Sequence, residues 1–213
     1  EYIEYGRRPT GMYIPRFRNL KNDQDKHEFV RGYNFQSWGQ GRVPPQDING
    51  FGEELKKNLR IPGPWRLPLH AFCEILPRKS NRILVDDNKV DQYGIPQVKF
   101  EFEWSENEIN MLKDATEQAE LMLKAAGCTS IEKRSIQSAP GTGIHEMGGA
   151  RMGDDPKKSI VNRYNQAHFA DNLFITDGSA MTSASSVNPS ITYMAMTARA
   201  ANYASDLIKQ NKI

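Results

Sequence analysis

Residues 95–108, "IPQVKFEFEWSENE", constrain this chain more than any other stretch. Val98, Phe100, Phe102 and Trp104 alternate with Lys99, Glu101 and Glu103, which predicts a strand with one apolar and one wet face. Such a strand belongs in an antiparallel sheet covered on one side. The strand must then stop, because Ser105 and Glu108 have the spacing of a capping box. Ile109, Leu112, Ala115, Ala119, Met122, Leu123 and Ala126 recur at helical spacing, and Gly127 is a natural stop. A helix over 106–126 packed on a sheet is the expected centre of the fold.

The flanks extend this plan. Residues 1–70 are rich in aromatics, glycine and proline, which favours strands and loops, with a short helix at Gly52–Leu59. "LHAFCEILPR" and "NRILVDD" read as strands separated by a proline-containing turn. After residue 130 a glycine-rich segment leads into a polar loop, and a short strand, "NLFIT", runs into "DGSAM". A final helix is expected over Ser190–Lys209, with Asn188 as N-cap and Pro189 at its first position. Its small residues Ala195, Ala198, Ala200, Ala201 and Ala204 would let it pack closely on a sheet or a cofactor.

Composition removes several function classes. The net charge of +2 is scattered over 213 residues, so neither nucleic acid nor an anionic membrane is indicated. No apolar run reaches membrane-spanning length. Cys73 and Cys128 are read as ordinary free thiols. No metal site is expected: H-E-x-x-H fails because Gly149 stands where the second histidine belongs, and "DDNKVD" lacks the glycine and terminal glutamate of a calcium loop. A G-x-G-x-x-G fingerprint fails at Glu146 and again at Pro44, and without a G-x-S-x-G elbow Ser179 is a weak nucleophile.

What remains is "GTGIHEMGGARMGDD", residues 141–155, with His145 among five glycines. Gly148, Gly149 and Gly153 would let the backbone turn tightly so that His145 can stand over a flat ligand. The strand ending in Asp177-Gly178 offers an acceptor and a close-approach backbone N–H, where nucleotide-like ligands bind in open α/β sheets. The helix opening at Pro189 and Ser190 adds free N–H groups and a positive dipole end. These elements suit a ligand that gains negative charge during reaction. Of the other histidines, His27 is expected on the surface, His70 in the core, and His168 in a structural hydrogen bond. Tyr33, Phe35, Gln36, Trp38 and Trp65 fit core packing first and a sugar-binding wall second.

"HEMGGARMG", "NLFITDGSAM" and "VNPSITYMAMTARAANYASDL", in that order, resemble the C-terminal portion of the glucose-methanol-choline (GMC) family of FAD-dependent oxidoreductases. The branch containing pyranose oxidase and bacterial sugar and polyol dehydrogenases is nearest. The likeness covers residues 70–213; residues 1–70 share only general character. In that family a histidine, and a second His or Asn further along, sit before the flavin N5. This chain supplies His145 and Asn188, 43 positions apart (188 − 145).

The resemblance implies an α+β chain. Residues 1–140 would form a mostly β substrate-binding domain with one long helix. Residues 141–213 would form the active-site loop with the last strand and helix of an FAD-binding α/β domain. It implies oxidation of an alcohol group of a sugar, glycoside or polyol, with His145 accepting the hydroxyl proton and Asn188 orienting the hydroxyl. Asp177, Gly178, Pro189 and Ser190 would contact FAD. The N-terminal FAD-binding region would be a missing partner, so the isolated chain is expected to be inactive, and an electron-acceptor protein is a further candidate partner. The competing expectation is a truncated, non-catalytic structural or partner-binding module. Localisation stays open between bacterial periplasm and cytoplasm.

Overall fold

A computed structural model describes residues 11–21, 26–38, 40–42, 50–61 and 65–213. Residues 43–49 and 62–64 and the Trp65 side chain lie outside the described residues. Three antiparallel strands make the central sheet. They are β1 (Gly11–Ile14), β2 (Tyr33–Trp38) in the middle, and β5 (His70–Cys73). A small pair, β3 (Gln40–Arg42) with β4 (Trp65–Arg66), and a helix, α1 (Gly52–Leu59), lie between β2 and β5 in sequence.

The core forms where this sheet meets α2 (Glu106–Ala125). Tyr33 and Phe35, alternate residues of β2, are fully buried against Met111 and Ala115. Phe29 completes the cluster, and Ile14, Phe17, Ala71, Cys73, Ala119 and Met122 pack around it. The helical face that enters the core is therefore Met111–Ala115–Ala119–Met122, whereas Ile109, expected inside, is exposed. Met111 lies four residues before Ala115 and shares its face, whereas Ile109, two residues before Met111, falls about 200° round the helix from it. A polar clamp sits at the edge of this core. The Arg18 guanidinium grips Asp114 in a two-point pair at 2.9 and 3.0 Å, and the Tyr33 hydroxyl donates to the same carboxylate.

The helix starts as its sequence predicts. Glu108 accepts the backbone N–H of Ser105 at 2.8 Å, and also the Leu76 N–H at 3.1 Å from the chain leaving β5. At the other end Ala126 is the C-cap, and Gly127 takes φ +84°, a left-handed value that favours glycine. Burial alone would push the Glu108 carboxyl up. The hydrogen bonds from Ser105 and Leu76, with the charge of Arg78, outweigh it and hold the group below the usual carboxylate range. Glu108→Ala strands these amides and is expected to cost about 2–4 kcal/mol in urea unfolding at pH 7. Because the folded value is depressed, this stabilisation is full above the ordinary glutamate value of about 4.3. It drains as pH falls through the folded value. A variant whose deficit stays constant down to strongly acid pH would contradict this.

β6 (Arg82–Val90) and β7 (Pro96–Glu101) form a separate hairpin. The register pairs Ile83 with Phe100 and Val85 with Val98, so the apolar face is continuous, as the alternation predicts. It is not half-buried as expected. Val98 and Phe100 are exposed, and the strand ends at Glu101, before Phe102 and Trp104. Alternation defines two faces, and the apolar one stays largely exposed, with the turn at Gly141 lying against Phe100.

The C-terminal part holds β8 (Gln166–Ala167), β9 (Ala170–Phe174) and α3 (Ser190–Lys209). β9 pairs antiparallel with β8 alone, and no parallel sheet forms among the described residues. α3 is pinned at its middle and in its C-terminal half. Tyr203 stacks on Tyr164 at 4.1 Å, and Arg199 donates to Asn165 at 3.3 Å. Only Ala200 of its small residues is buried, so the close packing expected of the whole alanine stripe is local.

Candidate active site

The segment that carries His145 is laced to the turn after β9. The amides of Gly148, Ala150 and Met152 donate to the carbonyls of Gly178, Ser179 and Ala180 at 3.3, 3.1 and 2.8 Å. Gly148 and Gly149, where the lacing begins, adopt φ +87° and +95°, left-handed values that favour glycine. Gly153 does not share that turn conformation. A side chain there would meet Ser159 at 3.0 Å, so its smallness serves close packing, not turning. His145 is half-buried and makes no hydrogen bond to any described residue. Two residues on, the Met147 sulfur accepts a hydrogen bond from the Tyr193 hydroxyl at 3.3 Å. Tyr193 lies in the first turn of α3, so the histidine segment reaches the start of that helix.

Asn188 and Pro189 stand at the same start. The helix begins at Ser190 with Pro189 as N-cap, and no side chain caps it. The expectation that Asn188 is the N-cap is therefore corrected. Its Oδ1 is turned away from the helix and accepts from Gln36 Nε2 at 2.7 Å. Asn188 and Ser190 are exposed and Pro189 is buried. Gln36 comes from the central sheet, on the face opposite the core. Alternation along "YNFQSW" sends Tyr33 and Phe35 into the core, and Asn34, Gln36 and Trp38 towards Asn188. Cross-strand register adds Tyr13 beside Gln36 on β1, and His70 and Phe72 on β5.

Tyr33 and Phe35 take the core role expected first for this group, and of its described members Gln36 and Trp38 are left to line a wall. His70 is exposed, with its ring 4.4 Å from Trp38, not a core histidine. Asn34 is fully buried on the site face, and neither end of its amide has a hydrogen-bond partner. A shallow, open depression lies along this edge, lined by Gly11, Met12, Tyr13, Gln36, Ser37 and Trp38.

Asp177 and Gly178 form the turn that meets the backbone of Glu146 and Gly148. Asp177 Oδ1 accepts from Ser179 N at 2.9 Å and from the Ser179 hydroxyl, which leaves Oδ2 outside the turn's hydrogen bonds. Gly178 is buried, and a Cβ there would lie 2.8 Å from the Glu146 carbonyl oxygen and 2.8 Å from the Tyr193 hydroxyl. Gly178→Ala is thus expected to cost about 1–3 kcal/mol by overpacking. It should also part the His145 segment from α3, seen as a matching fall in melting temperature and loss of protection at the Gly148 amide. Burial, then the charges of Asp177 and Glu146, push the Tyr193 phenol up, so it stays a neutral donor to Met147.

Other chemistry is thinly supplied. Burial and the Asp114 charge push the Cys73 thiol up to about 12, which makes it inert, and Cys128 is also a free thiol. His168 is used structurally, its Nε2 lying 3.0 Å from Ser159 Oγ and 3.1 Å from the Gly153 carbonyl. His27 stacks on Phe29. Among the described residues no cluster of His, Cys, Asp or Glu is placed to hold a metal, and no helix is long and apolar enough to cross a membrane.

The family model described as GMC oxidoreductase matches residues 77–197, more than half of the chain. The chain belongs to the GMC oxidoreductase family. The match takes in the His145 segment, the Asp177–Gly178 turn and the opening turns of α3. Among GMC relatives and similar proteins, 2-methyl-1,2-propanediol dehydrogenase of Mycolicibacterium austroafricanum is 32% identical over 83% of this chain and 33% of its own length. The gluconate 2-dehydrogenase flavoprotein of Pantoea cypripedii is 31% identical over 88% and 32%. The fructose dehydrogenase large subunit of Gluconobacter japonicus is 28% identical over 75% and 29%. The chain spans about a third of the length of these relatives. The fold fits the family assignment as a mixed α/β chain of small antiparallel sheets and three helices among the described residues.

Proposed function

We propose that this chain carries the substrate-facing half of an FAD-dependent oxidoreductase that oxidises an alcohol group of a sugar, glycoside or polyol. The names of the relatives, a diol dehydrogenase, a fructose dehydrogenase and a gluconate dehydrogenase flavoprotein, support both the substrate class and the cofactor. The observation that carries the reading is the meeting of the His145 segment with the uncapped start of α3, where Asn188 stands. An open helix N-terminus favours negative charge, which fits the pyrimidine end of a flavin.

FAD, when bound, supplies the hydride acceptor. His145 takes the hydroxyl proton as the carbinol carbon loses its hydride, so that the alcohol becomes a carbonyl. Asn188 holds the same oxygen and aims the C–H bond. Pro189 and Ser190 present the helix start to the cofactor, and Asp177, with the Gly178 backbone, faces its ribityl–pyrophosphate part. Residues 1–140 serve the substrate, and 141–213 the cofactor and the chemistry. The ADP end would be held by protein outside this chain, so the 213 residues alone are expected to be inactive.

The test is anaerobic flavin bleaching by a panel of sugars and polyols, in the protein at its natural length. One member of the panel should bleach the wild type quickly and the His145→Ala variant slowly. Flavin binding with equal bleaching by both would remove His145 as proton acceptor. Failure of the natural-length protein to hold flavin would favour a non-catalytic, partner-binding module.

A further inference from the structure

An asparagine amide has an accepting end and a donating end, and the two are useful for opposite chemistry. Gln36 Nε2 donates to Asn188 Oδ1 at 2.7 Å, so the accepting end is already used. Neither side chain has another hydrogen bond to a described residue. Gln36 is itself firmly carried. It sits on the middle strand of the sheet, paired with Tyr13 on one side and His70 on the other, with the buried Phe35 next to it in sequence.

We propose that Gln36 is a positioning residue that fixes which end of Asn188 meets the substrate. With Oδ1 held by Gln36, Asn188 presents Nδ2–H to the reacting oxygen as a donor. This rests on the reading above, in which Asn188 holds the substrate hydroxyl. The direction matters because that oxygen becomes more negative as its proton leaves for His145. A donor bond strengthens on the way to the transition state, whereas a carbonyl oxygen in the same place would be repelled. The hydroxyl proton is then left to His145 alone, since Asn188 offers it no acceptor.

Two substitutions separate positioning from mere support. Gln36→Glu keeps a partner for Asn188 but can only accept, so Asn188 must turn its NH₂ to the carboxylate and its carbonyl to the substrate. Gln36→Leu removes the bond and leaves Asn188 free to take either orientation. In the flavin-loaded protein at natural length, Gln36→Glu should slow substrate bleaching about 100-fold, in the rate and not in the half-saturating concentration. Gln36→Leu should slow it about 10-fold. A supporting role predicts the reverse order, because the bond survives only in the Glu variant.

The second readout needs no activity. In the ¹⁵N-labelled protein at natural length, the Gln36 side-chain NH₂ should be protected from solvent exchange and that of Asn188 unprotected. In Gln36→Glu the Asn188 NH₂ should become protected. A protected Asn188 NH₂ in the wild type would overturn the proposal outright. So would a Gln36→Glu variant that bleaches as fast as Gln36→Leu or faster. If instead Asn188→Ala and His145→Ala both bleach like wild type, the functional reading beneath has failed, and this inference goes with it.

Discussion

His145→Ala is expected to slow anaerobic bleaching of the flavin by about 10²–10⁴-fold, the usual contribution of a positioned acid–base group. The expectation follows from what surrounds the ring. His145 is half-buried yet makes no hydrogen bond to a described residue, so no structural partner explains its place. The backbone around it is held by three successive hydrogen bonds to the 178–180 turn, so alanine should leave the fold unchanged. Loss of rate should therefore come without loss of melting temperature. Bleaching slowed less than about tenfold would make His145 a bystander. A large fall in stability would make it a structural residue.

The largest effect on stability should come from Asp114→Ala, at about 3–5 kcal/mol in urea unfolding. Asp114 is the shared acceptor for Arg18 and Tyr33, and the ion pair is mostly shielded, with side-chain exposures of 14% and 20%. Taking away the carboxylate leaves a guanidinium and a phenol at the core edge without the acceptor they were placed to meet. Burial, reinforced by Asp114, pushes the Tyr33 phenol far above its ordinary value, so it remains a donor throughout the practical pH range. The double variant Arg18→Met/Asp114→Leu should lose less than Asp114→Ala alone, because only the Tyr33 hydroxyl, and no longer a guanidinium, is left without its acceptor. If the single variant costs under about 1 kcal/mol, the clamp behaves as a surface pair.

Much of this architecture was legible from local rules. Helix α2 announces itself by Ser105, Glu108 and Gly127, and the structure places it one residue shorter than its pattern. α1 and α3 have the expected limits. Those signals are local, so neighbouring residues suffice. What could not be read depends on residues far apart. Asn188 is a good cap by type, but Gln36, 152 residues away, claims its oxygen. The pattern of β7 defines an apolar face without saying whether anything covers it. Gly178 reads equally well as a place for a ligand or for protein; Glu146 and Tyr193 fill it. Of the site, His145 and Asn188 were visible as candidates. Gln36 was visible only as one of five wall residues, although the alternation of "YNFQSW" already divides that group.

β2 gives the chain an evolutionary freedom that most enzyme walls lack. Its odd-numbered positions, 33, 35 and 37, answer to the core. Its even-numbered positions, 34, 36 and 38, answer to whatever lies against Asn188. Selection for a new substrate and selection for a sound fold then act on interleaved but separate letters of one six-residue word. A combinatorial library confined to the exposed position 38 would search recognition with little loss of folded clones. The same diversity placed at 33 and 35 would be spent on misfolding.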